Sequence, residues 1–475
     1  MKNEFLMRPH FRILTDDQIE ELHHAALEIL ERTGVAVNHA EARELLGSSG
    51  ARIDKSNVRI PSCLVEEAIR SAPKRITIAD RNGQRRIFLE GKNVYFGSTV
   101  ASPNYIDPYT RLVRRFTRSD LEKTIAVSDH LANIRLIGMG TFISDVPIRL
   151  SGKVVFKEIL KNSTKPIFFE ALSLEDLKDC IEMATLVSGG PESLKRDPFI
   201  IHYSEQISPL IHTEEGVDKL LLCADCEIPL IYTPMPMLGQ SAPATFAGIL
   251  AQNTAEVLSG LVISQLRRKG APFIFGGIPS ILDMKTTLNS YGAAELDLLC
   301  AALTEVSHYY GLPMFGTAGC SDAKVVDEQT AVEVSISCLM SSLSGANLVH
   351  DVGLIGGGLT VSLETTVLAD EVIEMIKHIL RGIDINSETL ALDLIDRVGP
   401  GGSFIAEDHT YRHFRECWYS DLFDRGTYER WETQGRMRLS DRINRRVIEI
   451  LEQHESQPLP DKTASELDAM EESWE

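Results

Sequence analysis

The fold is decided by two segments, Leu312-Pro-Met-Phe-Gly-Thr-Ala-Gly-Cys-Ser-Asp322 and Asn347-Leu-Val-His-Asp-Val-Gly-Leu-Ile-Gly-Gly-Gly358. Each is a short apolar run that passes into glycines and polar residues, which is typical of a buried strand followed by a loop. Residues 328–343, between the two segments, have the apolar spacing of a helix. Because parallel strands need a long crossover, this order predicts a parallel sheet with intervening helices.

The same alternation extends back to about residue 118, and one more strand near Val94–Phe96 brings the number of strands to eight. This pattern predicts an α/β fold, a TIM (β/α)8 barrel within residues 94–398. A doubly wound sheet is the rival fold, but no Gly-x-Gly-x-x-Gly follows an early strand, and polar or glycine residues follow nearly every strand. The other predicted strands are Ile134–Gly138, Pro166–Glu170, Pro198–Tyr203, Ile228–Tyr232, Pro272–Phe275, Leu312–Phe315 and Asn347–His350, and the clearest helices are 213–226, 244–268, 293–309, 328–343 and 363–380.

Three further segments flank the predicted barrel. Residues 1–93 mix short helices, the first beginning after the capping Thr15, with strand-like pieces, so we expect an N-terminal α+β extension there. Residues 399–455 are expected to form a C-terminal helical segment at the barrel. Residues 456–475 carry six acidic residues against one lysine from Asp461 onward, so we expect a flexible, solvated tail.

The composition limits the partners and the compartment. The 475 residues include 48 Lys and Arg against 68 Asp and Glu, a net charge of −20, which argues against nucleic acid or an anionic membrane as the main partner. No apolar run approaches the roughly 18 residues of a membrane span, and Met1–Pro9 has no secretory pattern. The eight cysteines are scattered, as in a reducing compartment. We therefore expect a cytoplasmic protein.

Candidate site residues follow the last two predicted strands. His350 and Asp351 form an ionisable pair at the end of a barrel strand, where catalytic residues collect. Gly356, Gly357 and Gly358 let the backbone approach a bulky ligand, although they also suit an ordinary turn. The preceding loop adds backbone donors and polar side chains, of which we assign Gly316, Ser321 and Gln329 to substrate binding.

Aromatic residues lie on or just beyond most of the predicted strands. Aromatic ring faces bind a cationic ammonium that cannot donate hydrogen bonds. Some of these residues must be core filler, but the set predicts a cation-binding wall. The residues assigned to it are Tyr95, Phe96, Tyr203, Tyr232, Phe275 and Phe315.

Two motifs have the spacing of metal ligands. Cys223 and Cys226 have no second pair nearby, and their apolar neighbours favour buried packing thiols. His409 and His413 share a helical face, but the Glu of the His-Glu-x-x-His pattern is absent, which favours a role at the barrel mouth or in anion binding. We therefore expect no bound metal.

Several ordered motifs resemble the trimethylamine and glycine betaine corrinoid methyltransferase superfamily over nearly the whole chain. They are Leu14-Thr-Asp-Asp-Gln-Ile19, Ile106-Asp-Pro-Tyr-Thr-Arg111, Gly239-Gln-Ser-Ala-Pro-Ala-Thr-Phe-Ala-Gly248, Gln252-Asn-Thr-Ala-Glu-Val-Leu-Ser-Gly260, Ile281-Leu-Asp-Met284, Gly316–Asp322, Val349-His-Asp-Val-Gly353, Gly399-Pro-Gly-Gly-Ser-Phe404 and the closing residues His409 to Trp431. Leu354-Ile-Gly-Gly-Gly358 departs from the family's common Tyr-Leu-Glu-Ser-Gly.

The resemblance implies a TIM barrel that transfers a methyl group from an amine to the Co(I) of a cognate corrinoid protein. Trimethylamine members carry pyrrolysine, whereas this chain has only standard residues. It is therefore similar to the branch that uses quaternary amines such as glycine betaine, with dimethylglycine as the product. In this interpretation His350 lies near substrate or cobalt, Gly356, Gly357, Gly358 and His409 face the corrinoid, and the chain forms a homo-oligomer.

Two other functions stay open at this point. A metal-dependent TIM-barrel hydrolase or lyase would gather His202, His350, Asp351 and Asp283 around Zn²⁺. A noncatalytic betaine-binding or corrinoid-scaffolding protein would keep the barrel without the reaction.

Overall fold

The computed structural model describes residues 9–138, 140 and 142–474. Residues 1–8 of the predicted extension and Glu475 of the predicted tail lie outside the described residues. The fold is the predicted TIM barrel, with eight parallel strands that each precede a helix. The strands are β1 (Tyr95–Thr99), β2 (Ile134–Gly138), β3 (Ile167–Glu170), β4 (Ile200–Ser204), β5 (Leu230–Tyr232), β6 (Phe273–Phe275), β7 (Phe315–Thr317) and β8 (Leu348–Val352). The helices are α1 (Arg118–His130), α2 (Ile148–Asn162), α3 (Leu174–Ser188), α4 (Glu214–Cys226), α5 (Phe246–Arg267), α6 (Ala294–Tyr309), α7 (Glu328–Ser344) and α8 (Leu363–Ile379).

The sheet closes on itself. β8 pairs with β1, with Val349 opposite Phe96, and β7 pairs with β8. Between β6 and β7 the ladder is reduced to one parallel bridge from Phe275 to Met314, where the Phe275 amide donates to the Pro313 carbonyl at 2.8 Å. This short closure leaves no free edge for another chain to pair with.

Alternation along each strand divides its residues between two cores. One set points into the barrel and forms a single apolar cluster, and the other set packs against the surrounding helices. The inward-pointing members from the strands are Tyr95, Leu136, Phe168, Ile201, Tyr203, Ile231, Ile274, Phe315 and Leu348.

A hairpin of the N-terminal extension closes one end of the barrel. Its strands, Ile76–Ala79 and Arg85–Leu89, pair in an antiparallel manner. Ile78 and Ile87 are fully buried in the same cluster as the barrel interior. Because this plug fills the N-terminal end, only the C-terminal end of the barrel can admit a ligand.

The rest of the extension is built onto the barrel. Its helices are Asp16–Glu28, Ala40–Ser48 and Ser62–Ser71. The first of them continues as a π turn over Ile29–Thr33. Strands Val35–Val37, Arg52–Asp54 and Asn57–Arg59 form a small sheet, which is completed by Ile211–His212 from the loop after β4. The extension therefore shares a sheet with the barrel.

Loops at the C-terminal end are tied together by short strands. Asn104–Ile106 and Val113–Arg115, after β1, join Leu354–Ile355 and Thr360–Val361, after β8, in one sheet. Met237–Leu238 pairs with Ser280–Ile281 and links the loops after β5 and β6. These pairings fix the rim around the barrel mouth.

The C-terminal part is helical, and its first short helices precede residue 399. It contains Ser387–Leu390, Leu392–Val398, Asp408–His413, a 3-10 turn over Phe414–Glu416, Tyr428–Thr433 and Leu439–Gln453. The last of these helices packs on α1 and α8. It does so through its buried residues Ile443, Val447 and Ile450.

The acidic tail forms a docked helix, Asp461–Glu472, rather than the flexible segment expected. Leu467 is fully buried. Asp468 accepts from Lys157 and Lys161 of α2 at 2.8 Å each, and Glu471 accepts from Arg118 at 2.6 Å. The acids that suggested a solvated tail are therefore partners of basic side chains on the barrel.

Helix α5 has the length and composition of a membrane span, with 22 residues and a mean hydropathy of 1.3 over its most apolar window. The structure buries 83% of that window. The helix packs under the N-terminal helices Asp16–Glu28 and Ser62–Ser71, so its apolar character reflects its place in the core.

Candidate active site

A cavity of about 730 Å³ lies at the C-terminal end of the barrel. Each of the eight strands or the loop after it contributes to the wall, which is the usual arrangement of catalytic sites in this fold. In strand order, lining residues include Thr99, Phe142, Glu170, Glu205, Met235, Tyr291, Asp322 and His350.

His350 and Asp351 stand at the end of β8 and line the cavity. His350 Nδ1 lies 3.0 Å from Asp351 Oδ1, and Asp351 Oδ2 accepts from Thr317 Oγ1 at 2.9 Å. Asp351 holds this position with a φ of 72°, in the left-handed region, where β8 departs from regular register with β1. His350 Nε2 is buried and has no hydrogen-bond partner in the described part of the chain. One imidazole nitrogen therefore lies beside a carboxylate, while the other is left for a ligand.

Aromatic rings surround the imidazole. Phe315 of β7 stacks against His350 with ring centroids 4.4 Å apart, beneath the cavity wall. Phe168 and Tyr203, which line the cavity, approach His350 at 5.8 and 6.1 Å. Inward-facing positions of four strands thus meet at one aromatic cluster.

Two glutamate carboxyl groups face the same cavity. Glu170 ends β3, and Glu205 follows β4 and accepts a hydrogen bond from the Tyr203 hydroxyl. Both are accessible from the cavity, but the surrounding protein removes most of their bulk water, and this burial raises the pKa of Glu170 to about 7. The negative charge of Glu205 adds to that shift, while Lys219 opposes it. Burial also raises the pKa of Glu205. A cationic ligand would stabilise the ionised form of both groups.

Sequence reasoning missed both glutamates. The sequence does contain a signal for them, an acidic residue at the carboxyl end of an apolar run. Glu170 ends the run 166–170, and Glu205 lies two residues beyond Tyr203, the last residue of the next predicted strand. An acidic residue at the carboxyl end of a buried barrel strand is placed at the active-site face by the fold itself.

The rim of the cavity is apolar and has little side-chain bulk on one side. Gly356, Gly357 and Gly358 have φ values of 64°, 70° and 84°, which glycine adopts without strain. Two rim leucines, Leu288 and Leu359, are 65% and 57% exposed. Phe142 extends this apolar rim and is 49% exposed.

The loop after β7 organises the loop after β6. Asp322 accepts from the Ser290 hydroxyl and from the amides of Tyr291 and Gly292 at 3.0 and 3.1 Å. These bonds hold Tyr291 at the cavity.

The structure brings six of the predicted site residues to the cavity: Tyr203, His350, Asp351, Gly356, Gly357 and Gly358. Phe315 lies directly under His350. Ser321 and Gln329 instead bond Glu333 at 2.5 and 2.8 Å, and they brace the loop.

The remaining predicted residues lie elsewhere. Tyr95 sits at the opposite end of the barrel, where its hydroxyl accepts from the Phe88 amide at 3.2 Å. Tyr232 faces the helices and bonds His212 at 2.7 Å. Tyr95 points inward but begins its strand, at the plugged end, whereas strand alternation explains Tyr232, because neighbours of an inward-facing residue point outward. Phe96 and Phe275 belong with Tyr232 in the outer core. Gly316 points away from the barrel interior, because it lies between the inward-facing Phe315 and Thr317. His409 lies beside Glu388 in the C-terminal part.

The structure does not gather the metal ligands of the alternative function. His202 packs edge-on against Phe169 at 5.2 Å, outside the barrel interior. Asp283 binds the amide of Lys285 at 2.9 Å within its own exposed loop. Among the described residues, the cluster with metal-ligand spacing is Glu388, His409 and His413, which lies away from the cavity.

Comparisons with known proteins agree on one family. The family described as trimethylamine methyltransferase (MTTB) matches residues 3–472. Trimethylamine methyltransferase MttB of Desulfitobacterium hafniense (strain DSM 10664 / DCB-2) is 33% identical over 467 residues, which cover 97% of this chain and 93% of that protein. The glycine betaine methyltransferase of Desulfitobacterium hafniense (strain Y51) is 29% identical over 447 residues, 93% of each chain.

Among solved structures, the monomethylamine methyltransferase (MtmB) of Methanosarcina barkeri superposes with a TM-score of 0.53. The match covers 93% of this chain and 89% of that chain at 12% identity. At this identity the likeness supports the barrel fold and its flanking segments alone.

Proposed function

The chain belongs to the trimethylamine methyltransferase (MTTB) family and is a methyltransferase, and on that premise we propose that it takes a methyl group from a small quaternary amine. The proposed acceptor is the Co(I) of a corrinoid carried by a separate protein. The proposed donor is glycine betaine, which would leave dimethylglycine as the product.

The observation that carries this proposal is the pairing of carboxyl groups with ring faces in one cavity. A quaternary ammonium has no N–H group, so a protein can hold it only by charge and by aromatic faces. Glu170 and Glu205 supply the charge, and Phe168 and Tyr203 supply the rings. A neutral donor would leave the charge of the two carboxyls without a cationic partner in the cavity.

The proposed methyl transfer does not require the protein to donate a proton to the leaving group. The carbon–nitrogen bond breaks with its electron pair staying on nitrogen, so the leaving group is a neutral tertiary amine and needs no acid. The corrinoid supplies the Co(I) nucleophile. The chain has to orient the methyl group and exclude water, which the rings and the plugged barrel base favour.

His350 is proposed to position the donor. Nδ1 lies 3.0 Å from Asp351 Oδ1, and Nε2 faces the cavity without a partner among the described residues. In the proposed arrangement the ring donates through Nε2 to the carboxylate of a betaine. The ammonium then lies on the side of the two glutamates.

The rim fits the broad apolar face of a corrin ring. Phe142, Leu288 and Leu359 are exposed around the mouth, and Gly356–Gly358 add no side chains there. These residues would seat the corrinoid over the cavity, so that the methyl group points outward to the acceptor.

The choice of a quaternary amine over trimethylamine rests on the resemblance stated above. Trimethylamine members of the family carry pyrrolysine, and this chain contains only standard residues. The relative that is named for glycine betaine is therefore the better guide to the donor. The cytoplasmic location and the homo-oligomer stay predictions.

An anaerobic transfer assay tests the proposed function. Purified protein is mixed with cobalamin reduced to Co(I) and, in separate reactions, with glycine betaine, proline betaine, carnitine, γ-butyrobetaine or trimethylamine, and the visible spectrum is followed for methylated cobalamin. We expect methylation with glycine betaine. Methylation with trimethylamine alone, or with none of the five when a corrinoid protein is also supplied, would contradict the proposal.

A further inference from the structure

The C-terminal segment 383–416 lies on the surface with very little core of its own. Leu394 is its one buried residue, although the segment contains three short helices. The glycine-rich stretch Gly399-Pro-Gly-Gly402 runs through it. Short helices with so little burial need another source of stability to hold a fixed arrangement.

Three potential metal ligands meet in this segment. His409 and His413 are one turn apart on helix Asp408–His413, with ring centroids 4.3 Å apart. His413 Nε2 lies 3.5 Å from Glu388 Oε1, and one ligand atom from each of the three residues lies within 4.8 Å of the others. In a tetrahedral zinc site with bonds of about 2.0–2.2 Å, ligand atoms lie roughly 3.4 Å apart. The distance between His413 Nε2 and Glu388 Oε1 is already close to that spacing without any ion.

The orientation of His413 matches that of a metal ligand. Its Nδ1 donates to Glu416 Oε1 at 2.7 Å, which leaves Nε2 as the nitrogen with the free electron pair. Nε2 is shielded from solvent and makes no hydrogen bond within the described residues. A carboxylate behind the imidazole is the usual outer partner of a metal-bound histidine.

We propose that Glu388, His409 and His413 bind a divalent transition metal, Zn²⁺ in particular. Two imidazoles and a carboxylate suit Zn²⁺, and water completes the tetrahedron. The ion links helix Ser387–Leu390 to helix Asp408–His413 and closes the chain between them into a loop. This site departs from the sequence-based expectations that no metal is bound and that His409 faces the corrinoid.

Arg412 forms an ion pair with Glu388 that is an alternative to metal binding. Its guanidinium donates to Glu388 Oε1 at 2.8 Å, so an ion pair satisfies one oxygen of that carboxylate when no metal is bound. If the cluster is only this ion pair, the two histidines have no role in binding an ion. Removing Arg412 and removing the histidines should then have different consequences.

The test is metal binding to the full-length protein. The protein is stripped with a chelator, titrated with Zn²⁺, and its bound metal is measured by inductively coupled plasma mass spectrometry. We expect one Zn²⁺ per chain at this site, and His409→Gln and His413→Gln should each lower the affinity by about 100-fold. Glu416→Gln should lower it about tenfold. Arg412→Ala, which keeps every ligand, should leave the affinity equal or higher, and the exposed His24→Gln serves as the control.

A second readout follows the proposed link directly. Arg397 is exposed and lies inside the loop that the metal closes, so trypsin should cut after it more slowly when Zn²⁺ is bound. This protection should be absent in His413→Gln and present in His24→Gln. Unchanged Zn²⁺ affinity in both histidine variants, or equal loss in the His24→Gln control, would overturn the proposal.

Discussion

At the residue scale, His350 lies between one carboxylate and one aromatic ring. Asp351 Oδ1 is 3.0 Å from His350 Nδ1, and Asp351 holds a left-handed backbone conformation that few residues other than glycine adopt readily. The strand end is bent so that the carboxylate lies beside the imidazole and accepts from Thr317. Phe315 stacks on the same imidazole, whose Nε2 has no partner among the described residues.

Asp351→Asn is predicted to impair catalysis without unfolding the barrel. Asparagine tolerates the left-handed conformation, but it removes the charge that pairs with the imidazole. Losing a carboxylate that accepts from Thr317 and lies against the imidazole costs about 2 kcal/mol, so methyl transfer should slow roughly 30-fold. The measurement is kcat for transfer from glycine betaine, with the thermal midpoint as a check on folding. A variant that folds and turns over normally would remove Asp351 from the mechanism.

Glu170→Gln is predicted to abolish a pH dependence of substrate binding. Because the pKa of Glu170 is raised to about 7, its carboxyl is mostly neutral at pH 6 and mostly ionised at pH 8. Only the ionised form attracts an ammonium, so the KM for glycine betaine should fall about tenfold from pH 6 to pH 8. The variant should show a high KM at both pH values.

The matched control is Glu175→Gln, which changes an exposed carboxyl in the first turn of α3. It should keep the pH dependence of the parent protein. A KM that is the same at pH 6 and pH 8 in the parent protein would show that Glu170 does not meet the substrate. Glu205 and Lys219 also face this carboxyl, and neither residue is replaced in the two variants.

Residue roles could be predicted from sequence only in part. His350 and Asp351 stand out because they interrupt an apolar strand with ionisable groups. The inward-facing aromatic residues are harder to identify from sequence, because strands that are buried on both faces appear as continuous apolar runs. Nothing in such a run shows that Tyr203 points inward while Tyr232 points toward the helices.

At the element scale, the barrel strands and helices lie close to the predicted ranges. Their apolar runs have the right lengths and are bounded by glycine or proline, so local sequence carries the signal. The rim strands, such as Leu354–Ile355, have no such signal, because a two-residue strand exists only through its tertiary partners. The prediction of a flexible tail is wrong for a similar reason. The basic side chains that pair with the tail helix are distant in sequence, so its acidic residues suggest a solvated segment.

Leu467→Ala is predicted to destabilise the protein through the tail helix. Leu467 is fully buried where Asp461–Glu472 packs on the barrel, and truncating a buried leucine costs roughly 2–5 kcal/mol. The thermal midpoint should fall, and the tail should become sensitive to protease. Lys462→Ala, at a side chain that is 88% exposed, is the control and should change neither. Equal stability of the two variants would mean that the helix does not contribute to the fold.

At the scale of the whole molecule, the N-terminal end of the barrel is filled by the hairpin, and the cavity opens at the C-terminal end. In the proposed function, a small donor enters and a large acceptor docks at the same face. Donor binding is then expected to depend on groups inside the cavity, and acceptor docking on the rim.

Leu288→Glu is predicted to separate these two steps. Leu288 is 65% exposed at the rim, so a charge there should disfavour an apolar corrin face without entering the donor site. The KM for cob(I)alamin should rise roughly tenfold, a loss of about 1.4 kcal/mol, while glycine betaine binding measured by calorimetry stays constant. Ile383→Glu, at another exposed apolar residue away from the cavity, is the control. Parallel loss of donor binding in Leu288→Glu would contradict this division.

The most direct measurement compares two ligands that differ in one atom. Glycine betaine and 3,3-dimethylbutanoate have the same shape, but the second has a neutral carbon in place of the quaternary nitrogen. Calorimetric titration of the protein at pH 8 should give a Kd for glycine betaine at least about tenfold lower, since charge and ring faces recognise the ammonium. Equal binding of the two ligands, or tighter binding of the neutral one, would show that the cavity does not recognise a quaternary amine.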